Sequence, residues 1–275
     1  MRGFFLLSVD LNAMFWYKRY KEVFNMTLKN KILFTTAFAG GTVLMIGNFF
    51  FKRNLRNAVI PDGFTLTAHT GCEGTKDNSL DAITLGFGCG ADIVEIDLNF
   101  NKDGIAVLSH NEPKGNEPTL DEAFALVAGY KGLRVNVDVK NTLDLKQVTD
   151  LAEKHGILDR IFFTGVTEEF VDAVKEQTPG MLYYYNKGID KSKTEDISYI
   201  NSLIDEVKRV GAAGLNIHHK SCSKKMVEEF HNVGLQLSIW TVNKKPDMAR
   251  ALKLGCDNIT TRKPSELKSI IDTIK

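Results

Sequence analysis

Asp92-Ile93-Val94-Glu95-Ile96-Asp97-Leu98 and Arg134-Val135-Asn136-Val137-Asp138-Val139-Lys140 are the two stretches that decide the fold of this chain. In both, aliphatic residues alternate with polar or charged ones. Period two belongs to a strand, where residues two apart share a face. Glu95 and Asp97 therefore point the same way, and so do Asp138 and Lys140. Working outward, further strands are predicted over 64–68, 160–164, 180–185, 213–217, 236–242 and 257–261. Helical patterns fall between them, over 78–88, 120–129, 143–156, 167–177, 196–210, 223–233, 245–254 and 265–274. Strands and helices in strict alternation, eight of each, predict an α/β fold of the (β/α)8 TIM-barrel type. A doubly wound open sheet has the same count. No GxGxxG opens the first unit, so its dinucleotide-binding version has no support.

Several joints have a local cause. Asp77-Asn78-Ser79 offers side-chain oxygens to cap the first helix. Thr119 with Glu122 three residues on is a capping box. Asn101-Lys102-Asp103-Gly104 is a turn signal, so a hairpin is expected after Asp97, with a short return strand at 105–109 that ends in Ser109-His110.

With 43% apolar and 25% charged residues, the 275-residue chain can bury a core. The barrel is assigned to residues 64–275, a single-domain length. A net charge of +1 without a basic stripe argues against nucleic acid as a partner. Cys72, Cys89, Cys222 and Cys256 are scattered and form no CxxC, so they read as free thiols. Residues 32–51 carry no charge and are flanked by Lys29 and Lys31 before and by Lys52 and Arg53 after. That length predicts a single transmembrane helix. It divides the chain into an N-terminal segment 1–31, a span 32–51, a linker 52–63 and the barrel. A cleaved signal peptide at Ala37-Phe38-Ala39 fits less well, because the apolar run continues beyond it. Counting lysines and arginines on both sides points to a single-pass membrane protein with an extracytoplasmic barrel, a bias that vanishes if Met26 is the true start.

Barrel active sites lie at the carboxyl ends of the strands. Read in order, those ends carry His69, Glu95 with Asp97, Asp138 with Lys140, Thr164, Asn186, His218 with His219, Trp240 with Asn243, and Thr261 with Arg262. Each has an ordinary reading when taken singly. A lone histidine is more often a hydrogen-bonded core residue, and Glu95 or Asp97 could pair with Lys140. Asp77 and Asn78 read as helix caps, Trp240 as core, and His155 and His231 as surface residues of helices. His218 and His219 are adjacent, so at most one faces the pocket. Three convergent carboxylates are another matter. Unpaired buried carboxylates cost several kcal/mol each, roughly the effective desolvation penalty of an ion, and a hard divalent cation is their natural partner.

Taken together these pieces resemble the glycerophosphodiester phosphodiesterase family, from about Thr67 to the C-terminus. The family pattern runs Ala-His-Arg-Gly, Glu-Asn, Gly-Ala-Asp, Glu-x-Asp, Lys-Asp-Gly and a second His. The matching text here is Ala68-His69-Thr70-Gly71, Asp77-Asn78, Gly90-Ala91-Asp92, Glu95-Ile96-Asp97, Lys102-Asp103-Gly104 and Ser109-His110. Later come Asp138-Val139-Lys140, Trp240-Thr241-Val242-Asn243 and Gly255-Cys256-Asp257-Asn258-Ile259-Thr260-Thr261-Arg262-Lys263-Pro264. The resemblance implies a (β/α)8 enzyme that hydrolyses glycerophosphodiesters to an alcohol and glycerol phosphate. It implies His69 and His110 as the general acid/base pair. Glu95, Asp97 and Asp138 would be ligands of Mg²⁺ or Ca²⁺. Lys140 would hold a phosphate oxygen, and Trp240 would pack on the alcohol or lipid portion.

Three departures bear on that expectation. Thr70 stands where the family has a phosphate-clamping arginine, and a hydroxyl cannot replace a guanidinium charge. Arg262 stands where the family has aspartate, and could return the positive charge from across the pocket. Asp138 replaces a glutamate. The chain also has only Asn111 to Thr119 between His110 and the next helix, too little for a lid. Two alternatives follow. One is phospholipase D-like cleavage of a lysophospholipid or sphingophospholipid, as the Asp-x-Lys spacing suggests. The other is an inactive membrane-tethered binding protein.

Overall fold

Nine strands and eight helices build the described part of the chain. They are β1 Thr65–Ala68, α1 Leu80–Gly88, β2 Ile93–Phe100, β3 Ala106–Leu108, α2 Leu120–Ala128, β4 Arg134–Val139, α3 Lys146–Lys154, β5 Ile161–Val166, α4 Val171–Gln177, β6 Tyr183–Asn186, α5 Ile197–Val210, β7 Gly214–His218, α6 Lys224–Asn232, β8 Gln236–Trp240, α7 Lys245–Leu254, β9 Asn258–Thr261 and α8 Pro264–Ile274. The computed structural model describes residues 60–274 together with Leu55 and Ala58. The segment 1–31, the span predicted over 32–51 and half of the linker 52–63 lie outside the described residues. Among the described residues no helix is long and apolar enough to cross a membrane.

Eight strands pair in parallel around a closed ring, β1-β2-β4-β5-β6-β7-β8-β9 and back to β1. The short β3 lies outside the ring and pairs antiparallel with the far end of β2, Leu98 opposite Leu108. The hairpin predicted after Asp97 is therefore present, and β2 runs two residues past the predicted 98 to form it. Capping works as the sequence suggests. Thr119 and Glu122 form the reciprocal box at α2. At α1 the cap is Ser79 alone, which accepts from the Ala82 N–H. Helices present apolar stripes to the barrel, as Val148 and Ala152 do on α3. Two predicted strands are shorter than expected. The first begins at Tyr183, after the Pro179-Gly180 turn, and the other ends at Trp240, where the chain leaves the sheet.

Inside the ring the side chains form three layers. At the amino end Ile93, Phe162 and Tyr184 pack together, with the Arg134 guanidinium 4.9 Å from the centre of the Phe162 ring. Above them lies a layer of neutral polar groups. Asn258 Oδ1 accepts from Thr67 Oγ1 at 2.7 Å and from Thr65 Oγ1 at 3.0 Å. The same residue's Nδ2 donates to Ser238 Oγ at 2.9 Å. Ser238 in turn donates to Asn216 Oδ1 at 2.8 Å. Asn216 Nδ2 reaches Asn186 Oδ1 at 3.2 Å. On the opposite wall Thr164 donates to Asn136 at 2.8 Å. Glu95 stands level with Asn136, and Asp97 and Asp138 lie one step further toward the carboxyl end.

Candidate active site

Register brings the charges together. β2 pairs with β4 so that Asp97 lies opposite Asp138, and Glu95 opposite Asn136. β1 pairs with β2 with Ala68 opposite Val94, so His69, the next residue, comes alongside Glu95. Oxygens of Glu95, Asp97 and Asp138 all lie within 4.8 Å of one another, as strict strand alternation requires. Lys140, two residues beyond Asp138, turns back over the cluster. Its Nζ is 2.6 Å from Asp138 Oδ2 and 3.2 Å from Asp97 Oδ1. The β2–β3 hairpin carries His110 to the rim, where its Nδ1 is 3.4 Å from Asp97 Oδ1 and the side chain stays 62% exposed.

Gly165 allows the carboxylates to stand this close to the wall. It sits at a register shift between β5 and β6, with φ +74°, a conformation suited to glycine. A side chain there would meet Asp138 Oδ1 at 2.3 Å. The consequence is an unsatisfied atom. Asp138 Oδ1 is buried and has no hydrogen-bond partner. The nearby Thr164 hydroxyl has one proton, and it goes to Asn136.

The ionisation of the cluster is uneven. Burial pushes the Glu95 carboxyl well above the usual carboxylate range, and the charges of Asp138 and Asp97 push it further. Burial likewise raises Asp138, although Lys140 opposes it. Burial would also raise Asp97, but Lys140, the Asn78 amide and His110 outweigh it, and its carboxyl is held low. Lys140 would be lowered by burial, and the two aspartates reverse that. His69 is lowered, chiefly by burial. Its Nδ1 lies 2.7 Å from the Thr70 carbonyl, which can only accept. Nδ1 therefore carries the proton, and the Nε2 lone pair faces Glu95 Oε1 at 3.9 Å.

Two residues read from sequence as helix caps belong to the site instead. Asn78 Nδ2 donates to Asp97 Oδ2 at 2.8 Å, while Asn78 Oδ1 accepts the Asp97 N–H at 3.1 Å. Asn78 holds φ +54°, which asparagine tolerates better than most side chains. Asp77 takes both guanidinium nitrogens of Arg262, Nη2 at 3.2 Å and Nη1 closer still. That pair lies over Gly71, where any Cβ would collide with Asp77 Oδ1 at 1.8 Å.

These contacts change what Thr70 and Arg262 can do. Thr70 is buried, and its hydroxyl is spent on Asn78, accepting from the backbone N–H and donating to Oδ1 at 3.3 Å. Arg262 does line the cavity, but its charge is committed to Asp77, and this contact holds the guanidinium pKa up. Asn243, expected at the rim, accepts the Arg262 backbone N–H at 2.8 Å and so fixes that turn. Trp240 is a rim residue, 37% exposed, not core. His155 is half-buried against Asp121, not a free surface residue. Cys72, Cys222 and Cys256 are buried free thiols, and Cys89 is half-buried. Nε2 of His69, the three carboxylates, Lys140, His110, Trp240 and Arg262 all face one cavity of about 560 Å³.

Acid–base groups and a carboxylate cluster converge at the carboxyl end of the barrel, where enzymes of this fold carry their active sites. Residues 118–266, more than half the chain, match the model of the glycerophosphoryl diester phosphodiesterase family. The chain belongs to that family and is a phosphodiesterase of this class. It is 25% identical over 236 residues to a glycerophosphodiester phosphodiesterase of Caldanaerobacter subterraneus subsp. tengcongensis, covering 74% of this chain and 96% of the relative. An Oleispira antarctica phosphodiesterase in complex with the product sn-glycerol-3-phosphate superposes with TM-score 0.65 at 20% identity, over 78% of this chain and 97% of that one. A glycerophosphodiester phosphodiesterase of Parabacteroides distasonis gives 0.62 at 18% identity, over 77% and 98%. At such identities the two structural likenesses speak for the fold.

Proposed function

We propose that this protein hydrolyses glycerophosphodiesters to an alcohol and glycerol phosphate, with a divalent cation at Glu95, Asp97 and Asp138 and with His69 and His110 exchanging protons. One observation carries the reading. Two buried carboxylates and a half-buried third crowd within 4.8 Å, one oxygen of Asp138 has no partner, and Lys140 is the only ammonium paired with them among the described residues. Oxygen donors, negative surplus and an unsatisfied lone pair fit Mg²⁺ or Ca²⁺. When bound, such a cation neutralises charge building on the phosphoryl oxygens. Lys140 is positioned to add an ammonium to the same oxygens. His69, half-buried and neutral with Nε2 toward Glu95, and His110, held by Asp97, form the acid–base pair. One takes the proton of the attacking water as its oxygen bonds to phosphorus. The other gives a proton to the alkoxide as the phosphorus–oxygen ester bond breaks. The sn-glycerol-3-phosphate held by the Oleispira relative supports the product assignment.

Full-length protein is expected to hydrolyse glycerophosphodiesters, to lose activity in chelator and to regain it with Mg²⁺ or Ca²⁺. His69→Ala and His110→Ala should each cost about 10²–10⁴ in kcat/KM. A p-nitrophenyl ester of glycerol phosphate assigns the roles, because its leaving group needs no proton. The variant that recovers on it has lost the acid. Activity indifferent to chelator sinks the metal reading, and turnover of lysophosphatidylcholine alone would favour the phospholipase D-like alternative. Membrane anchoring through 32–51, with the barrel extracytoplasmic, is proposed on the sequence pattern alone.

A further inference from the structure

Beside the carboxylate cluster the cavity opens into a second lobe of about 520 Å³ between the ends of β6, β7 and β8. The lobes share Asn186, Asn216 and Trp240, so a diester held at the first can extend into the second. Their electrostatics are opposite. The first is lined by Asp77, Glu95, Asp97 and Asp138, which outnumber its Lys140 and Arg262. The second has no carboxylate in its lining and contains Lys187, Lys191 and His218.

The nearby acids are already engaged. Glu206 takes Lys187 at 2.7 Å. Asp190 accepts from the Ser192 hydroxyl at 2.7 Å and lies 3.7 Å from Lys193. Lys191 is exposed and enters no ion pair among the described residues, so its charge is available. His218 accepts the Lys220 backbone N–H through Nδ1 at 3.3 Å, which leaves its other nitrogen as an N–H donor. Burial and the ammonium groups of Lys191 and Lys220 hold His218 neutral, which fits that tautomer. The wall thus offers a free ammonium, an imidazole N–H and the Trp240 ring, packed edge-on to His218 at 5.8 Å.

We infer that this lobe receives the head group of the diester and selects oxygen-rich head groups, uncharged or anionic, over ammonium-bearing ones. This inference rests on the proposed diester hydrolysis. Hydroxyl or oxyanion oxygens accept from Lys191 and His218, while the sugar-like carbon face packs on Trp240. A choline or ethanolamine head would place its cation beside Lys191 with no carboxylate to receive it. Trp240 could attract a quaternary ammonium through its ring face, but one aromatic wall facing an ammonium is weaker than a cage. Repulsion between two unit charges in contact near a protein surface exceeds the attraction of one exposed ring face.

The test is a head-group panel on the full chain with saturating Mg²⁺ or Ca²⁺: glycerophosphoinositol, glycerophosphoglycerol, glycerophosphoethanolamine and glycerophosphocholine. The first two should exceed the last two by about tenfold in kcat/KM at low salt, and the gap should narrow as salt screens the charge. Lys191→Glu should shift the ratio toward the cationic diesters by about tenfold, mainly through KM. Equal or better turnover of glycerophosphocholine overturns the inference while leaving the hydrolase reading intact. A ratio that Lys191→Glu does not move overturns it as well. If no diester is cleaved while divalent ions still raise the melting temperature, the proposed function falls, and head-group selection falls with it.

Discussion

Two walls of one barrel solve the problem of buried polarity in opposite ways. On the β5–β9 side the interior is neutral, and Asn186, Asn216, Ser238 and Asn258 hand hydrogen bonds from one strand to the next, a chain that Thr67 of β1 closes. On the β1–β4 side the interior is charged and incomplete. Glu95 is buried with His69 no nearer than 3.9 Å, and Asp138 keeps an oxygen with no partner. A satisfied polar layer rigidifies a core at little cost, whereas an unsatisfied charged one is destabilising until something binds. The neutral wall is built for stability, and the charged wall holds a cost that a ligand relieves.

That contrast can be broken by substitution. Glu95→Gln should have the largest effect, cutting kcat/KM by about 10²–10³ through loss of a charge aimed at the reacting group. In chelator the same variant should melt a few degrees higher than the parent, because it removes a crowded buried charge. A lower melting temperature would show that the charged wall is not strained. Asn258→Leu should do the reverse. It leaves the Thr65 and Thr67 hydroxyls without their acceptor and should cost about 1–3 kcal/mol of stability, read from urea melts. Activity per folded molecule should hold. Loss of activity without loss of stability would erase the distinction between the walls.

The smallest effect concerns pH. Burial and its two acidic neighbours raise the Glu95 carboxyl in the folded state above its unfolded value. Protonated Glu95 therefore adds stability at acid pH, below the unfolded value. That contribution fades as pH rises through the folded one. In chelator the melting temperature of the parent should fall relative to Glu95→Gln as pH rises above the unfolded carboxyl value of 4.5. Divalent ions should flatten the difference. Parallel curves in chelator would mean that Glu95 is better compensated than the geometry indicates.

The alternation in 92–98 and 134–140 was enough to foresee that Glu95 shares a face with Asp97 and Asp138 with Lys140, while their convergence needed the two strands to be neighbours, as they are. The hairpin at 101–104 and the box at Thr119 were legible for the same local reason. Asp77 and Asn78 were not. Any of Asp77, Asn78 and Ser79 can cap a helix, and only tertiary structure gives that task to Ser79 and frees the other two for Arg262 and Asp97. The neutral layer was hidden differently. Asn136, Asn216, Ser238 and Asn258 keep the inward parity of their strands, but an uncharged amide in a strand draws no notice until its partners appear. Arg262 shows the limit of reading charge by position. Its place at the rim was predictable, and its pairing with a residue 185 positions earlier was not.

That long reach bears on how the molecule comes into being. Every group of the charged cluster is synthesised early, between His69 and Lys140, yet β1 has β9 as its second neighbour, and the Glu73 N–H is held by the Arg262 carbonyl. Such distant loop closures are entropically late. A chain emerging from the ribosome therefore carries every side chain of the proposed catalytic set well before it has a catalyst, and its barrel closes only when its last strand zips against its first.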